Sequence, residues 1–217
     1  MSRPSPSARS AAVYTPIVLK LYDWWVLGVS NRLAWRCPTS TVLLPFFAAH
    51  VGARHLDVGV GTGYYVAQAG VARRAELTLL DLNENSLRAA AARTGVSART
   101  VRHDVMQPLP PSLHGRFDSV SMFYLLHCLP GRMLEKGKAI AALKPALAAG
   151  GVIYGATILG EAAGHNAFGR WLMRIYNRKG IFGNRTDTLE SLEAALRPHF
   201  ERVQVRQHGK VALFVAK

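Results

Sequence analysis

The sequence predicts an α/β fold with a doubly wound, mostly parallel sheet and helices on both faces. From Ala53 onward, apolar runs rich in β-branched residues alternate with alanine-rich helical stretches. The runs lack strict apolar–polar alternation, which is typical of strands buried on both faces. Only residues 207–210 separate the last two runs, too few for a parallel crossover. The final strand is therefore expected to be antiparallel.

Seven strands and four helices are expected, and the last two of these strands form a hairpin. The predicted strands are 55–60, 76–80, 100–103, 119–123, 152–158, 202–206 and 211–215, and the helices are 65–71, 85–94, 132–144 and 189–196.

Two segments lie outside this alternation. Residues 13–50 precede the first strand and are expected to form a helical cap, and residues 159–186 form an insertion after the fifth strand. Ligands of open α/β sheets bind beyond the carboxyl ends of the strands, so this insertion is well placed to cover a ligand. Residues 1–12, rich in Ser, Pro and Arg, are predicted to be a disordered tail, and residues 13–217 a single domain.

Composition indicates a globular protein of one domain, with 217 residues, of which 49% are hydrophobic. Two cysteines cannot form a disulfide framework, which favours a reduced compartment. The apolar run 16–29 is shorter than the ~20 residues that span a bilayer, and Lys20 and Asp23 interrupt it. We therefore expect a packed helix there, no transmembrane segment and a cytoplasmic location.

The net charge of +14 favours three classes of partner, namely nucleic acid, an anionic membrane surface or an anionic substrate. The same charge spread over the surface would imply little beyond solubility. The positions of the basic residues must decide between these interpretations.

A glycine-rich stretch, HLDVGVGTGYY, follows the first predicted strand and carries Gly59, Gly61 and Gly63. The dinucleotide fingerprint G-x-G-x-x-G fails here because Tyr64 occupies the position of its third glycine. A P-loop also fails, since no G-K-[ST] follows. Glycines at this point permit positive φ and let a ligand touch the backbone, with Asp57 leading the pattern.

Two further acids end the next two predicted strands. Asp81 ends the second strand, 18 residues after Gly63, where a carboxylate can accept both hydroxyls of a ribose. Asp104 ends the third strand, where it could accept an exocyclic adenine amine. The glycine loop and these acids together describe a site for a nucleoside without a pyrophosphate.

These motifs resemble the class I S-adenosylmethionine-dependent methyltransferases, a Rossmann-like family, over about Ala53 to Lys217. FDSVSMFYLLHCLP and LKPALAAGG are similar to that family's fourth strand and to the turn before its fifth. ALAA intervenes between Pro145 and Gly150 and is expected to lengthen the helix or loop. The resemblance implies the cofactor S-adenosylmethionine, the product S-adenosylhomocysteine and a seven-stranded sheet. It implies that Asp57 lies near the methionine amine and Asp81 on the ribose. Asp104 and Val105 would then lie beside the adenine, and Met122 and Phe123 near the methionine part. The further cofactor contacts are Gly59, Gly61, Gly63 and Leu82.

The N-terminal segment YDWWVLGVSNRLAW is similar to the opening helices of ubiquinone/menaquinone C-methyltransferase-like proteins. That likeness implies that the segment folds over the cofactor, with Tyr14 and Tyr22 as capping residues. Tyr22 is then a cofactor contact and Tyr14 a substrate contact. The alternative is that these tyrosines and the nearby tryptophans only pack a helix onto the sheet.

The insertion contains an amphipathic helix with two distinct stripes. Apolar Phe168, Trp171, Leu172, Ile175 and Tyr176 recur at helical spacing, which predicts a packed face. Beside it, a basic stripe is expected to bind an anionic substrate or to be a solvated surface. Its members are Arg170, Arg174 and Arg178, and four glycines nearby could let the segment move as a lid.

Methyl transfer needs a general base only when the acceptor must lose a proton. His127, just past the fourth strand, is the candidate base; a structural role is the alternative. His165 and Tyr124 are the next candidates and are assigned to the substrate. No cluster has metal-ligand spacing, so no metal is expected.

The sequence thus predicts an S-adenosylmethionine-dependent methyltransferase for a small molecule, anionic or a secondary metabolite. An RNA methyltransferase is the first alternative; no RNA module and no N-P-P-Y motif supports it. The second alternative is a cyclase, isomerase or binding protein that keeps the cofactor intact. The acceptor atom and the oligomeric state are not encoded in any motif.

Overall fold

A computed structural model describes residues 23–73, 75–95 and 98–217, and its centre is a seven-stranded sheet in the order β3-β2-β1-β4-β5-β7-β6. The predicted fold class is confirmed, and each predicted strand is present with ends shifted by a few residues. The strands are β1 Arg54–Val58, β2 Glu76–Asp81, β3 Arg99–Arg102, β4 Phe117–Phe123, β5 Leu147–Ile158, β6 Val203–His208 and β7 Val211–Ala216.

Pairing is parallel from β3 through β5 and antiparallel where β7 joins β5 and β6. The hairpin between β6 and β7 turns at Gly209, whose φ is +58°. This agrees with the prediction that the short final link forces an antiparallel strand. Because β1, β2 and β4 are parallel neighbours, their carboxyl ends meet at one edge of the sheet.

Several of the α-helices start at a side-chain cap or at a proline. Asn83 accepts hydrogen bonds from the amides of Asn85 and Ser86, which starts the second long helix of the chain. The α-helices are α1 Leu44–Ala48, α2 Tyr64–Gln68, α3 Glu84–Thr94, α4 Met133–Leu143, α5 Ala167–Arg178 and α6 Leu189–Leu196. Helix α2 is shorter than predicted because a turn with Gly70 at φ +62° ends it.

Two hydrophobic clusters cover the two faces of the sheet. On one face α4 and α6 bury Ile140 and Leu192 against strand residues such as Val120. On the other face, aromatic side chains of α1, α2 and the central strands form the core. These are Phe47, Tyr65, Phe123 and Tyr154, with Phe47 and Phe123 centroids 5.0 Å apart. Burial on both faces explains the continuous apolar runs of the central strands.

The ALAA segment departs from its predicted structure. It was expected to lengthen a helix or loop, but only Ala146 belongs to a short 3-10 turn, and the other three residues belong to β5, which begins at Leu147. The register shifts between Phe117 and Ser119, where the longer strand bulges against β4. A strand tolerates an added residue by bulging, because the ladder resumes beyond the irregularity.

The N-terminal cap begins, within the described residues, with a helix of π type, Asp23–Ala34, followed by a second short one, Thr39–Leu43. The end of the cap is fixed by the C-terminal hairpin. The Lys210 amide donates to the Trp35 carbonyl at 2.7 Å, and a Cβ on Gly209 would lie 2.2 Å from the Arg36 carbonyl oxygen. In the ranges that the structure describes, no helix is long and apolar enough to cross a bilayer.

Candidate functional site

The glycine-rich loop turns directly after β1 and lies at the carboxyl edge of the sheet. The Gly59 amide donates to the Leu80 carbonyl at 2.8 Å, which holds the loop against β2. At Gly63, a Cβ would lie 2.7 Å from the Ala90 backbone, so this glycine serves helix packing. At Gly61, with φ +52°, a Cβ would meet nothing within 4 Å. The middle glycine therefore presents backbone to open space, as a ligand contact requires.

Asp57 is a buried carboxylate at this edge, and a chain of hydrogen bonds ends on it. Ser121 of β4 donates to Asp57 and lies 3.0 Å from Nε2 of His55, whose Nδ1 lies 2.7 Å from Ser119. The Gly52 amide donates to Ser119 at 2.8 Å.

This chain runs in one direction toward the carboxylate. Because the single Ser121 proton goes to Asp57, Nε2 of His55 must carry the proton that Ser121 accepts, and Nδ1 accepts from Ser119. Burial raises the pKa of Asp57 to about 7, while the Ser121 bond lowers it and the nearby Asp81 raises it. The chain thus supports a negative charge that burial opposes.

Asp81 lies against the same loop from β2. Burial raises its pKa to about 6, and amides of the glycine loop and of the turn after β2 oppose that shift. One of them, the Asn83 amide, donates to Oδ1 at 2.8 Å. The structure therefore brings Asp57 and Asp81 together at the glycine loop, as the sequence predicted of their strands.

The remaining cofactor candidates are divided by the sheet. Asp104 accepts from the Met106 amide at 3.0 Å, and Val105 is buried. Phe123 lines a cavity together with Asp57 and Gly61. The Met122 side chain is 0% exposed and packs in the cluster on the opposite face, so the structure does not bring it to this cavity.

A three-residue clasp, Asp23–Thr62–Arg93, joins the N-terminal cap to the glycine loop. Thr62 donates to Asp23 at 2.6 Å, and Arg93 bonds both Thr62 at 3.0 Å and Asp23 at 2.5 Å. This clasp was not predicted from the sequence, where its only signal is Asp23, an acid within a mainly apolar segment. The clasp places the cap helix beside the loop whose backbone faces open space.

Tyr124, predicted to touch substrate, lies at the carboxyl end of β4 with φ +58°. A non-glycine residue in this region stores backbone strain of about 1–2 kcal/mol, a feature that concentrates at functional sites. Its hydroxyl donates to Asn31 of the cap at 2.8 Å, and its ring lines the same cavity as Asp57. Tyr124 therefore links the cofactor side of the site to the cap.

His127, predicted as a base, is buried and neutral. Burial lowers its pKa to about 3, and Lys136 lowers it further. The Ile158 amide donates to Nδ1 at 3.3 Å, which leaves the proton on Nε2. The structure favours a hydrogen-bond donor over a general base at this position.

Aromatic rings continue from Tyr124 toward the insertion. The His127 ring lies 5.4 Å from Tyr124 and 4.6 Å from Phe182, which lies 4.9 Å from Tyr176. Tyr176 accepts a hydrogen bond from Trp25 of the cap at 2.8 Å. The predicted capping residues Tyr14 and Tyr22 lie outside the described residues, and their role stays a prediction.

The predicted substrate residues of the insertion do not line the cavity beside Asp57. His165 is 4% exposed and donates through Nε2 to the carbonyls of Leu159 and Gly160, and burial lowers its pKa. Arg170 donates to the His165 carbonyl, while Arg174 is exposed on the outer face of α5. Trp171, predicted on the packed face, is 50% exposed, whereas its neighbour Leu172 is buried. The basic stripe faces outward.

The parallel sheet, the glycine loop and the two carboxylates that meet there agree with the methyltransferase class that the sequence predicted. The methyltransferase domain family matches residues 56–153. YbcY of Escherichia coli (strain K12) is 52% identical over 88% of this chain and 98% of its own. The physcion biosynthesis cluster O-methyltransferase of Aspergillus chevalieri is 45% identical over 100% of this chain and 98% of its own. The chain belongs to this methyltransferase family.

Further fungal relatives are named as O-methyltransferases and as an N-methyltransferase. Among solved structures, the DhpI complex with S-adenosylhomocysteine shares the fold over 100% of this chain and 98% of its own, with a TM-score of 0.71 at 14% identity. At that identity the likeness concerns the fold. Among the described residues, no group of His, Cys, Asp or Glu could hold a metal ion.

Proposed function

We propose that this methyltransferase moves the methyl group of S-adenosylmethionine to a hydroxyl of a small aromatic molecule. One observation carries the proposal: Asp57 and Asp81 meet at a glycine loop that borders a row of aromatic rings. Carboxylates at that point suit an ammonium and a ribose, whereas the rings suit a planar acceptor. The naming of relatives as O-methyltransferases supports oxygen as the acceptor atom.

In this proposal the cofactor contacts follow the strand ends. Asp57 accepts from the ammonium of the methionine part, and Asp81 accepts from the ribose hydroxyls. Asp104 and Val105 border the adenine, and Phe123 borders the methionine part. The open face of Gly61 lets the ligand approach the backbone closely, which explains why a side chain is missing there.

The cofactor supplies a methyl group on a sulfonium that is already a good leaving group. The protein's contribution is then to hold the acceptor in line with that methyl group and to exclude water. The ring of Tyr124, which lines the cavity together with Asp57, orients the acceptor beside the cap. No metal is needed for this chemistry. The two free thiols, Cys37 and Cys128, suit a reducing cytoplasm.

Titration calorimetry with S-adenosylhomocysteine tests the cofactor site. The Asp81→Asn variant should bind more than about tenfold more weakly, because the amide offers only one acceptor to the ribose diol. The matched control is Glu84→Gln, three residues further on, which should bind like the parent protein. Equal affinity for Asp81→Asn would remove the ribose assignment.

The acceptor is tested with methyl-labelled S-adenosylmethionine. The label should enter hydroxylated arenes such as naphthols in a simple panel, and the small-molecule fraction of a cell extract. Label on aryl amines instead would assign nitrogen as the acceptor atom. Label in RNA, or none despite tight cofactor binding, would overturn the proposal.

A further inference from the structure

The outer surface of two neighbouring helices differs from the rest of the described surface. We call it the docking face, formed by the cap helix Asp23–Ala34 and by α5. Its outward residues are Trp24, Arg32, Leu33, Trp171, Arg174 and Arg178. None of them is used by the proposed methyl transfer.

Large apolar side chains are concentrated on this face. Trp24 is 67% exposed, Leu33 is 55% exposed and Trp171 is 50% exposed. Within the described ranges they are three of the four large hydrophobic residues with such exposure; the fourth, Leu134, lies on α4. Single exposed apolar residues are ordinary, but several on one surface mark an interaction site.

The two helices form one continuous surface. Asn166, at the start of α5, donates to the Leu33 carbonyl at 2.8 Å, near the end of the cap helix. At the other end, Trp25 donates to Tyr176 at 2.8 Å. The helices are therefore antiparallel neighbours. Aromatic rings join their outer sides, with successive centroid distances of 6.1, 6.3 and 6.0 Å from Trp24 through Trp25 and Phe168 to Trp171.

The charge of the docking face is uniformly positive. No acidic residue occurs from residue 162 to residue 186, and Arg174 and Arg178 are exposed on α5, as is Trp171. The acid of the cap helix, Asp23, is paired with Arg93 and bonded by Thr62, so it does not offset these arginines. Exposed tryptophan and leucine beside arginine on one helix face are typical of elements that lie on anionic bilayers.

We propose that the docking face binds the surface of an anionic membrane. Indole rings favour the boundary between headgroups and acyl chains, and the arginines attract anionic headgroups. Leu33 distinguishes this partner from a nucleic acid, whose phosphates gain nothing from an exposed leucine. The face belongs to the helices that border the acceptor side, so an acceptor dissolved in the bilayer would meet the protein there.

Vesicle sedimentation of the full chain tests the inference. Vesicles of phosphatidylcholine mixed with phosphatidylglycerol should bind the protein, and pure phosphatidylcholine should bind it much less. Two variants, Trp24→Ser with Trp171→Ser, and Arg32→Gln with Arg174→Gln and Arg178→Gln, should each partition at least about tenfold more weakly.

Matched controls separate the docking face from general charge and hydrophobicity. Leu134→Ser removes the exposed leucine of α4, and Lys138→Gln with Arg202→Gln and Lys217→Gln removes three charges elsewhere. Both controls should bind vesicles like the parent protein. S-adenosylhomocysteine affinity of every variant verifies its fold and tests the proposed function separately.

Several results would overturn the inference. One is that the parent protein does not bind anionic vesicles. Another is that the charge control binds vesicles as weakly as the docking-face variants do. A third is that the protein binds RNA but not vesicles. If the parent protein forms a dimer in solution, does not bind vesicles, and becomes monomeric when Trp24→Ser and Trp171→Ser are combined, the face binds a second copy of the chain instead.

Discussion

The proposed cofactor side, at the glycine loop, and the proposed acceptor side, at the cap helix and α5, are built on different principles. On the cofactor side, short loops follow rigid parallel strands, and Asp57 and Asp81 are fixed by backbone amides and by the chain from His55. On the acceptor side, the cap helix and α5 meet through isolated side-chain bonds such as Trp25 to Tyr176. The sheet therefore fixes the proposed cofactor contacts, while individual side chains fix the proposed acceptor contacts.

The largest effect should come from the buried ion pair that anchors the insertion. Lys136 of α4 pairs with Asp187 at 2.5 Å, and both side chains are 0% exposed. Lys136→Met should lower the free energy of unfolding by about 3–5 kcal/mol, because it leaves a buried carboxylate without its partner. Urea denaturation measures this change. The double variant with Asp187→Leu should recover most of the loss; no recovery would mean that packing, and not charge, holds the insertion.

The next effect separates two glycines of one loop. Gly63→Ala should lower the unfolding free energy by about 2–4 kcal/mol, from positive φ and collision with Ala90. Gly61→Ala should lower the unfolding free energy by only about 1–2 kcal/mol, since its Cβ enters open space. It should nevertheless weaken the binding of S-adenosylhomocysteine more than Gly63→Ala does. Thermal unfolding and calorimetry measure the two quantities. If both variants lost cofactor affinity in proportion to their loss of stability, the two glycines would not differ in function.

A smaller effect concerns pH. Asp57 must be ionised to bind an ammonium, so affinity for S-adenosylhomocysteine should fall as the pH drops below about 7. Ser121 donates to the carboxylate and favours its charged form, so Ser121→Ala should raise the pKa of Asp57. The midpoint of the acid limb then moves to higher pH. Other groups near the carboxylate, Asp81, His55 and the Asp23–Arg93 pair, are unchanged.

The readout for Ser121→Ala is calorimetry over a pH series beside the parent protein, which cancels titration of the ligand itself. Ser119→Ala, one step further along the chain, should move the midpoint less. An acid limb that keeps its position in Ser121→Ala would show that Asp57 does not bind the ammonium, or that the chain does not tune it.

The smallest effect belongs to the bond between the cap and α5. Trp25→Phe keeps a ring but removes the donor to Tyr176, so stability should fall by about 1 kcal/mol. Cofactor affinity should stay within about twofold of the parent value, because the clasp on Thr62 is intact. A drop in cofactor affinity as large as that of Asp81→Asn would contradict the separation of the two sides.

The cofactor side could be predicted because its signals are local. Glycine spacing after a strand fixes a loop, and an acid at the end of each strand reaches the same edge of a parallel sheet. The hairpin followed from a link too short to cross over. Even the burial of Met122 away from the cavity follows from strand alternation, since Phe123 points to the other face.

Several contacts around the site could not be predicted because they depend on strand register and on helix rotation. The His55–Ser121 chain exists only because β1 and β4 pair Asp57 with Ser121. The Asp23–Thr62–Arg93 clasp joins three separate segments. Trp171 has an apolar side chain and was predicted on the packed face. It is exposed because Leu172 and Met173 are the large side chains that α5 buries. None of these relations leaves a pattern in a single chain.

The bond between Lys210 and Trp35 has a consequence for the order in which the molecule folds. It joins positions that lie 175 residues apart along the chain. Contacts between such distant positions form late and slowly. The central strands can thus pair while the cap is still undocked, and docking of the cap waits until the β6–β7 hairpin has formed.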